Sequence, residues 1–283
     1  MLGYIRGMAG VRLMTVDAFT EVAFTGNPAA VVFLDEEPSD EWMAAVARET
    51  SVSDTAFVIP EALPDADFRI RWFTLAEEVD LCGHATLASA HCLLEDGASG
   101  PIRFASRSGP LNVTRRADGS LAMDFPAWPP AEIDARSAAS AALGVPVEWT
   151  GQAHDGFFLL ALLADERTVR DLVADVSAIQ SLDCSAVIVT AVADPGQEHD
   201  FVSRLFAPKV GIPEDPVTGS THTVLGPFWA DRLARAALVG LQASARPGRV
   251  GVEVVGDRVT ITGRAVTVLE GELTAAAQPA QPT

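Results

Sequence analysis

The alternation of apolar and polar positions predicts many short strands and one long helix in each half of the chain. Residues 68–73 alternate at the period of a half-buried strand, whereas residues 29–34 and 186–192 are apolar runs typical of buried strands. After Gly83 and again after Gly219, apolar residues recur at helical spacing. The pattern therefore predicts an α+β protein built from two similar domains.

Both predicted helices follow acidic residues and a short glycine-containing segment. The first segment is Leu81-Cys82-Gly83-His84, and the second runs from Glu214 and Asp215 to Thr218-Gly219-Ser220. The prolines beside Glu214 and Asp215 predict a stiff turn rather than a helix or a central strand. We interpret the two segments as a duplicated strand–turn–helix unit. The exposed N–H groups at the two helix starts would then face a common site for an anion.

Composition shifts along the chain suggest the domain boundaries. Residues 126–130 (Pro-Ala-Trp-Pro-Pro) are the clearest linker. They predict an N-terminal domain at residues 1–125 and a C-terminal domain at residues 131–258, with the last strands, near residues 259–272, returning to the first domain. The Ala/Gln/Pro-rich end, residues 273–283, is predicted to be a disordered tail.

Charge and cysteine content narrow the possible partners. The formal net charge of the 283 residues is −18, which opposes binding to nucleic acid or to an anionic membrane. No apolar run approaches the roughly 20 residues of a membrane span, and the N-terminus does not resemble a signal peptide. Three cysteines in no disulfide or metal spacing predict a reduced, cytoplasmic setting and no metal site. Lys209 is the only lysine and the only candidate for a Schiff base, which makes a pyridoxal-phosphate enzyme a poor alternative.

Four segments, in this order, resemble the PhzF-like phenazine-biosynthesis family, and the similarity runs from about residue 13 to residue 269. They are Asp17-Ala-Phe-Thr with Gly26-Asn-Pro-Ala, Ser53-Asp-Thr-Ala-Phe, Cys82-Gly-His-Ala-Thr and Glu214-Asp-Pro-Val-Thr-Gly-Ser. The resemblance implies a diaminopimelate-epimerase-like fold, with two pseudo-symmetric domains that each wrap a β-barrel-like sheet around a central helix. It also implies a homodimer that needs no cofactor. The characterised member of the family isomerises a dihydroaromatic amino acid by moving a proton.

The same resemblance implies catalytic roles for Asp54, His84 and Asp215. The family's principal acid/base is the glutamate of a Ser-Glu-Thr motif, so Asp54 shortens that side chain by one methylene, roughly 1.5 Å. Read without the family, Asp54 could simply cap a strand start and Asp215 could cap the following helix. The remaining residues expected to contact the substrate are Asn27, Ser53, Gly83, Thr218, Gly219 and Ser220.

Cys82 supports a competing interpretation. Related racemases and epimerases of this fold carry one of two catalytic cysteines at its position, and a helix N-terminus lowers the pKa of a thiol. The second cysteine would fall on Thr218, so a two-base racemase is disfavoured, whereas a one-base epimerase or dehydratase stays open.

The leading hypothesis is a cofactor-independent isomerase that transfers a proton on a small anionic or amino-acid-like substrate. The alternative, motivated by aspartate at position 54, is a catalytically weak family member that acts as a small-molecule or protein-binding module.

Overall fold

The computed structural model describes residues 10–279. The described residues up to Asp124 and from Gly263 onward form one compact unit, and Phe125–Thr262 form a second. The strands are β1 (Arg12–Ala18), β2 (Asn27–Phe33), β3 (Asp54–Leu63), β4 (Ala66–Phe73), β5 (Glu78–Val79), β6 (Ile102–Ser106), β7 (Gly109–Arg115), β8 (Leu121–Pro126), β9 (Ala131–Glu132), β10 (Trp149–Ala153), β11 (Phe158–Leu162), β12 (Ala186–Val192), β13 (Phe201–Ala207), β14 (Ile212–Asp215), β15 (Ala237–Gln242), β16 (Gly248–Val255), β17 (Arg258–Gly263) and β18 (Ala265–Glu272). The α-helices are α1 (Asp40–Thr50), α2 (Gly83–Glu95), α3 (Arg136–Leu143), α4 (Glu166–Asp171), α5 (Val176–Gln180) and α6 (His222–Leu233).

The two units repeat one strand order. In the first unit the order is β18-β1-β2-β3-β4-β6-β7-β8, in which β2–β3 and β4–β6 are parallel and β5 pairs with β4. In the second unit the order is β9-β10-β11-β12-β13-β15-β16-β17, with parallel pairs at β11–β12 and β13–β15 and with β14 on β13. The predicted pseudo-symmetric α+β fold is confirmed. Each sheet is mixed and is not closed into a barrel.

A largely buried helix packs against the sheet of each unit. The α2 helix contacts β1, β2, β3 and β18, and small residues such as Ala85, Ala88 and Ala90 let it approach these strands on all sides. The α6 helix contacts β15 and β16, with Gly226 next to Val252 and Val254 of β16. Its buried Phe228 and Trp229 pack against Trp149 of β10 and Phe201 of β13.

Further core lies on the other side of the sheets. In the first unit, Ser39 caps α1 by accepting the N–H of Trp42, and Met43 then packs against Phe57 and Phe73. In the second unit, α3, α4 and α5 cover the other face of β11, β12 and β13. No helix in residues 10–279 has the length and apolarity needed to cross a membrane.

The residues predicted to form a linker pack within the second unit. The N–H of Trp128 donates to the carbonyl of Thr223 at 2.9 Å. Pro227, four residues after Thr223 inside α6, has no N–H to give to that carbonyl. The Trp128 peptide therefore satisfies a helix carbonyl that the proline leaves without its usual donor.

Three local predictions are wrong. Glu214 and Asp215 lie in the short strand β14 rather than in a turn, because only Ile212 and Asp215 pair with β13 and Pro213 falls in the irregular register between them. The α6 helix begins at His222, so Gly219 and Ser220 lie in the preceding turn. The end of the chain is ordered as far as Pro279: Trp42 Nε1 donates to the carbonyl of Ala277 at 3.0 Å. Residues 280–283 of the predicted tail lie outside the described residues.

Candidate active site

The predicted site residues of the first unit meet because strand starts and a helix start coincide. Strands β2 and β3 are parallel, with Ala29 opposite Asp54, so Asn27 and Ser53 lie near the same end of the sheet. The α2 helix begins close by, at Gly83, with Cys82 as its N-cap residue.

Asn27 is held by a tightly folded approach to β2. Gly26 has a φ of +70°, and a Cβ there would lie 2.3 Å from the carbonyl oxygen of Ala18. Only glycine fits both restrictions without strain. Asn27 is completely buried, and its Oδ1 accepts the hydroxyl of Ser53 at 2.8 Å. The same hydroxyl lies 2.8 Å from the carbonyl oxygen of Pro28.

His84 connects Asp54 to Cys82. Its Nε2 lies 3.5 Å from Asp54 Oδ2 and 3.4 Å from Ser53 Oγ, and its Nδ1 lies 3.5 Å from Cys82 Sγ. Since the Ser53 hydroxyl proton is directed to Asn27 and Pro28, Ser53 Oγ accepts from His84, which assigns the proton to Nε2. Nδ1 is then the acceptor that faces the Cys82 thiol.

Burial keeps the His84 ring neutral. The residue is 6% exposed, and desolvation lowers its pKa to about 4. At neutral pH the ring therefore donates through Nε2 and accepts through Nδ1, which is the state needed to pass a proton between two neighbours.

The same three residues could be considered as metal ligands. One ligand atom of each of Asp54, Cys82 and His84 lies within 4.8 Å of the others. However, Asp54 faces Nε2 of the ring and Cys82 faces Nδ1, and one metal ion binds an imidazole through a single nitrogen. The arrangement fits a hydrogen-bonded relay better than a metal centre.

The start of α2 is suited to a bound anion. Cys82 makes no side-chain capping bond to the helix. The first N–H groups of a helix have no partner within the helix and carry its positive partial charge. Gly83, the first helical residue, adds no side chain that would cover them.

The second unit holds the other predicted residues. Asp215 ends β14 and is 8% exposed, and the hydroxyl of Thr218 donates to its Oδ2. Gln242, at the end of β15, bonds to both ends of this segment: its Nε2 donates to the carbonyl of Asp215 at 2.9 Å and its Oε1 accepts the N–H of Thr218 at 2.9 Å.

Gly219 and Ser220 form the turn into α6. The carbonyl of Gly219 accepts the N–H of His222 at 3.0 Å, and the carbonyl of Ser220 accepts the N–H of Thr223 at 3.1 Å. His222 is fully buried, its Nδ1 lies 2.8 Å from the carbonyl oxygen of Thr218, and desolvation lowers its pKa to about 4.

Sequence reasoning missed Gln242. The only signal in the sequence is an amide residue that closes an otherwise apolar strand, β15. Two other polar residues are engaged elsewhere: Glu214 accepts two bonds from Arg204, at 2.7 and 3.0 Å, and Lys209 donates to the carbonyl of Leu182.

Comparison with known proteins identifies the family. The sequence profile described as phenazine biosynthesis-like protein (PhzC-PhzF) matches residues 16–271. The chain belongs to this family. A Pseudomonas aeruginosa member named as an uncharacterized isomerase is 46% identical over 263 residues, which cover 92% of this chain and 98% of the relative. Phenazine biosynthesis-like domain-containing protein 2 of Mus musculus is 38% identical over 285 residues, covering 93% of this chain and 99% of the relative.

Solved structures of the family have the same fold. A PhzF family protein from Enterococcus faecalis is 40% identical and superposes with a TM-score of 0.87, covering 94% of this chain and 99% of that protein. A hydroxyproline epimerase from Agrobacterium vitis is 14% identical with a TM-score of 0.59, over 93% of this chain and 92% of that protein, and therefore shares the fold alone. The predicted family and fold are confirmed.

Proposed function

We propose that this protein is a cofactor-independent isomerase that moves a proton on a small carboxylate-bearing substrate, with Asp54 as the acid/base. The observation that carries the proposal is the buried contact of Asp54 with neutral His84 at the start of α2. The names of its relatives support an isomerase: three of them, from two bacteria, are named as uncharacterized isomerases.

In the proposed reaction Asp54 removes a proton from one carbon of the substrate and returns it to another. One C–H bond breaks, a double bond shifts and a second C–H bond forms, so the reaction needs neither an oxidant nor a reductant. His84 contributes its Nε2–H, which can stabilise the Asp54 carboxylate before the transfer and a developing negative charge on the substrate during it.

The helix start around Gly83 would bind the substrate carboxylate, and the turn formed by Gly219 and Ser220 is the candidate anion-binding segment of the second unit. Asn27, Ser53 and Thr218 would complete the contacts, and Asp215 would assist by holding a donor group of the substrate. The resemblance to the family supports a homodimer, and the three buried cysteines, none of which forms a disulfide, support a cytoplasmic location.

Proton exchange with solvent tests the proposal. The protein is incubated in D2O with a panel comprising a dihydroaromatic amino acid, a cyclic amino acid and an unsaturated dicarboxylate, and deuterium incorporation is followed by NMR. Asp54→Asn should reduce exchange at least about a hundredfold, because the amide has no basic oxygen. Asp65→Asn is the matched control, since Asp65 is an exposed residue in the turn at the far end of β3 and should leave exchange unchanged.

The shorter side chain gives a second arm to this test. Asp54→Glu restores the family's glutamate and moves the carboxylate by roughly 1.5 Å. If the substrate is aligned with the Asp54 carboxylate, this variant should lose activity on the order of a hundredfold, as expected when a catalytic group is displaced. Full activity in Asp54→Asn would exclude Asp54 as the base. Binding of the panel without exchange by the unmodified protein would favour the binding module.

The contact between Cys82 and His84 favours one further candidate, a one-base epimerase or dehydratase that uses the Cys82 thiolate. His84 Nδ1 is positioned to take the thiol proton. In that case Cys82→Ser should abolish deuterium incorporation while Asp54→Asn reduces it only in part. The acid/base proposal predicts the reverse order.

A further inference from the structure

Gln242 is a buried amide whose hydrogen bonds all go to one short segment. It is 0% exposed. Its Nε2 donates to the carbonyl of Asp215 at 2.9 Å and to Thr218 Oγ1 at 3.1 Å, and its Oε1 accepts the N–H of Thr218 at 2.9 Å. A fully buried amide is costly unless its bonds are made, so the side chain is fixed by its partners.

The partners also fix the direction of each bond. A backbone N–H can only donate and a backbone carbonyl can only accept, so the amide of Gln242 has a single orientation. Its Nε2 then donates to the Thr218 hydroxyl, which leaves the hydroxyl proton directed to Asp215 Oδ2. The result is a one-way chain of donors that runs from Gln242 through Thr218 to the Asp215 carboxylate.

The carbonyl oxygen of Thr218, its remaining polar atom, is restrained as well. It lies 2.8 Å from His222 Nδ1 and accepts the hydroxyl of Thr221 at 2.8 Å. The corresponding strand of the first unit, β6, ends in Ser106, whose hydroxyl donates to the carbonyl of Gly109 in its own hairpin. The amide that holds the Asp215 segment is therefore a feature of the second unit that β6 does not repeat.

We infer that Gln242 is a positioning residue that holds the Thr218 hydroxyl toward Asp215 and so fixes that carboxylate as a hydrogen-bond acceptor facing the substrate. A hydrogen bond to a charged group weakens steeply when its donor is free to rotate away from the acceptor. The contribution of Gln242 is therefore to orient the Thr218 hydroxyl. The catalytic consequence rests on the proposed function, whereas the hydrogen-bond chain itself does not.

A purely structural role for Gln242 makes a different prediction. If the amide only joins the end of β15 to the turn, its loss lowers stability without any link to the Thr218 hydroxyl. If Gln242 acts through that hydroxyl, Gln242→Met frees the group that Thr218→Val removes, so both variants act on the same bond to the Asp215 carboxylate. Their effects on turnover should then fail to add.

The experiment compares Gln242→Met, Thr218→Val, the double variant and Thr218→Ser by deuterium incorporation into the panel substrate that the unmodified protein turns over fastest. Each of the first two should lower kcat about ten- to a hundredfold, as expected for one bond to a charged group. KM should change by less than about threefold in Gln242→Met, which leaves Thr218 in place. The double variant should be no slower than the slower single variant, and Thr218→Ser should retain activity. Gln152→Met, a half-buried amide on β10, is the control and should match the unmodified protein.

Additive losses in the double variant, or an unchanged kcat in Thr218→Val, would overturn the inference. Even if Gln242→Met does not fold, a comparison of Thr218→Val with Thr218→Ser tests whether the Thr218 hydroxyl is needed for turnover. If the unmodified protein exchanges no panel substrate, the proposed function fails. The positioning role of Gln242 is then tested on the protein without substrate. There the Thr218 amide should exchange with solvent faster in Gln242→Met but not in Thr218→Val, and crystal structures of both variants should show a displaced Asp215 side chain. Unchanged amide exchange or an unmoved carboxylate would reject the positioning role.

Discussion

Acidification from pH 7 to pH 5 should destabilise this protein through its buried histidines. His84 and His222 each have a pKa of about 4 in the folded chain, against an ordinary value of 6.5, because burial disfavours the charged ring. Between these two values the unfolded chain binds more protons than the folded chain. The stabilising contribution of each neutral ring is therefore complete above pH 6.5 and is lost progressively as the pH falls toward 4.

The size of the effect follows from the two pKa values. The linkage relation gives a loss of about 2 kcal/mol for each histidine between pH 7 and pH 5. The two residues together then account for about 4 kcal/mol, a large share of the roughly 5–15 kcal/mol that stabilises a typical domain. Burial also lowers the pKa of His91, which acts in the same direction.

The test is the change in unfolding free energy with pH for the unmodified protein and for His222→Asn. Asparagine keeps a side-chain N–H for the carbonyl of Thr218 but does not titrate. Urea unfolding is followed by tryptophan fluorescence at pH 7, 6 and 5 and at constant ionic strength. His222→Asn should lose about 2 kcal/mol less than the unmodified protein over this range, whatever its stability at pH 7.

His154→Asn provides the matched control. His154 is exposed and has a φ of +51°, a conformation that asparagine tolerates, so this variant should keep the pH dependence of the unmodified protein. If His222→Asn and the unmodified protein lose the same free energy between pH 7 and pH 5, protonation of His222 does not control acid stability and the reasoning from burial is wrong.

Two further predictions concern stability at pH 7, measured by urea unfolding. Gly26→Ala should lower the free energy of unfolding by at least about 1 kcal/mol more than Gly109→Ala does. Both glycines have a positive φ, but only at Gly26 would the new Cβ meet the backbone, 2.3 Å from a carbonyl oxygen. Equal losses in the two variants would show that the positive φ alone sets the destabilisation. Arg71→Met should destabilise by about 2 kcal/mol, because Glu78, whose side chain is 11% exposed, loses its two bonds from Arg71 and retains its ion pair with Arg107. Adding Glu78→Leu should restore part of the loss, and no recovery would contradict this account.

The sequence determined the features that depend on short segments. Alternating and helical periods identified strands β2 and β4 and helix α2, because side-chain burial on a strand or helix follows directly from backbone geometry. The motifs around Asp54, Cys82 and Asp215 identified the family and the duplicated unit, since these residues occur in a fixed order along the chain.

The tertiary structure decided the contacts between residues distant in sequence. Asp54 and His84, thirty positions apart, lie within 3.5 Å because a parallel strand pair and a helix start share one end of the sheet. The prediction of a turn from the prolines beside Glu214 and Asp215 failed, because an irregular register in β14 lets Pro213 lie unpaired between two paired residues. Gln242 escaped notice because its role depends on reaching Thr218, twenty-four positions earlier, across the end of β15. Local propensity carries no information about such pairings, since the free energy that fixes them comes from burial and hydrogen bonding in the complete fold.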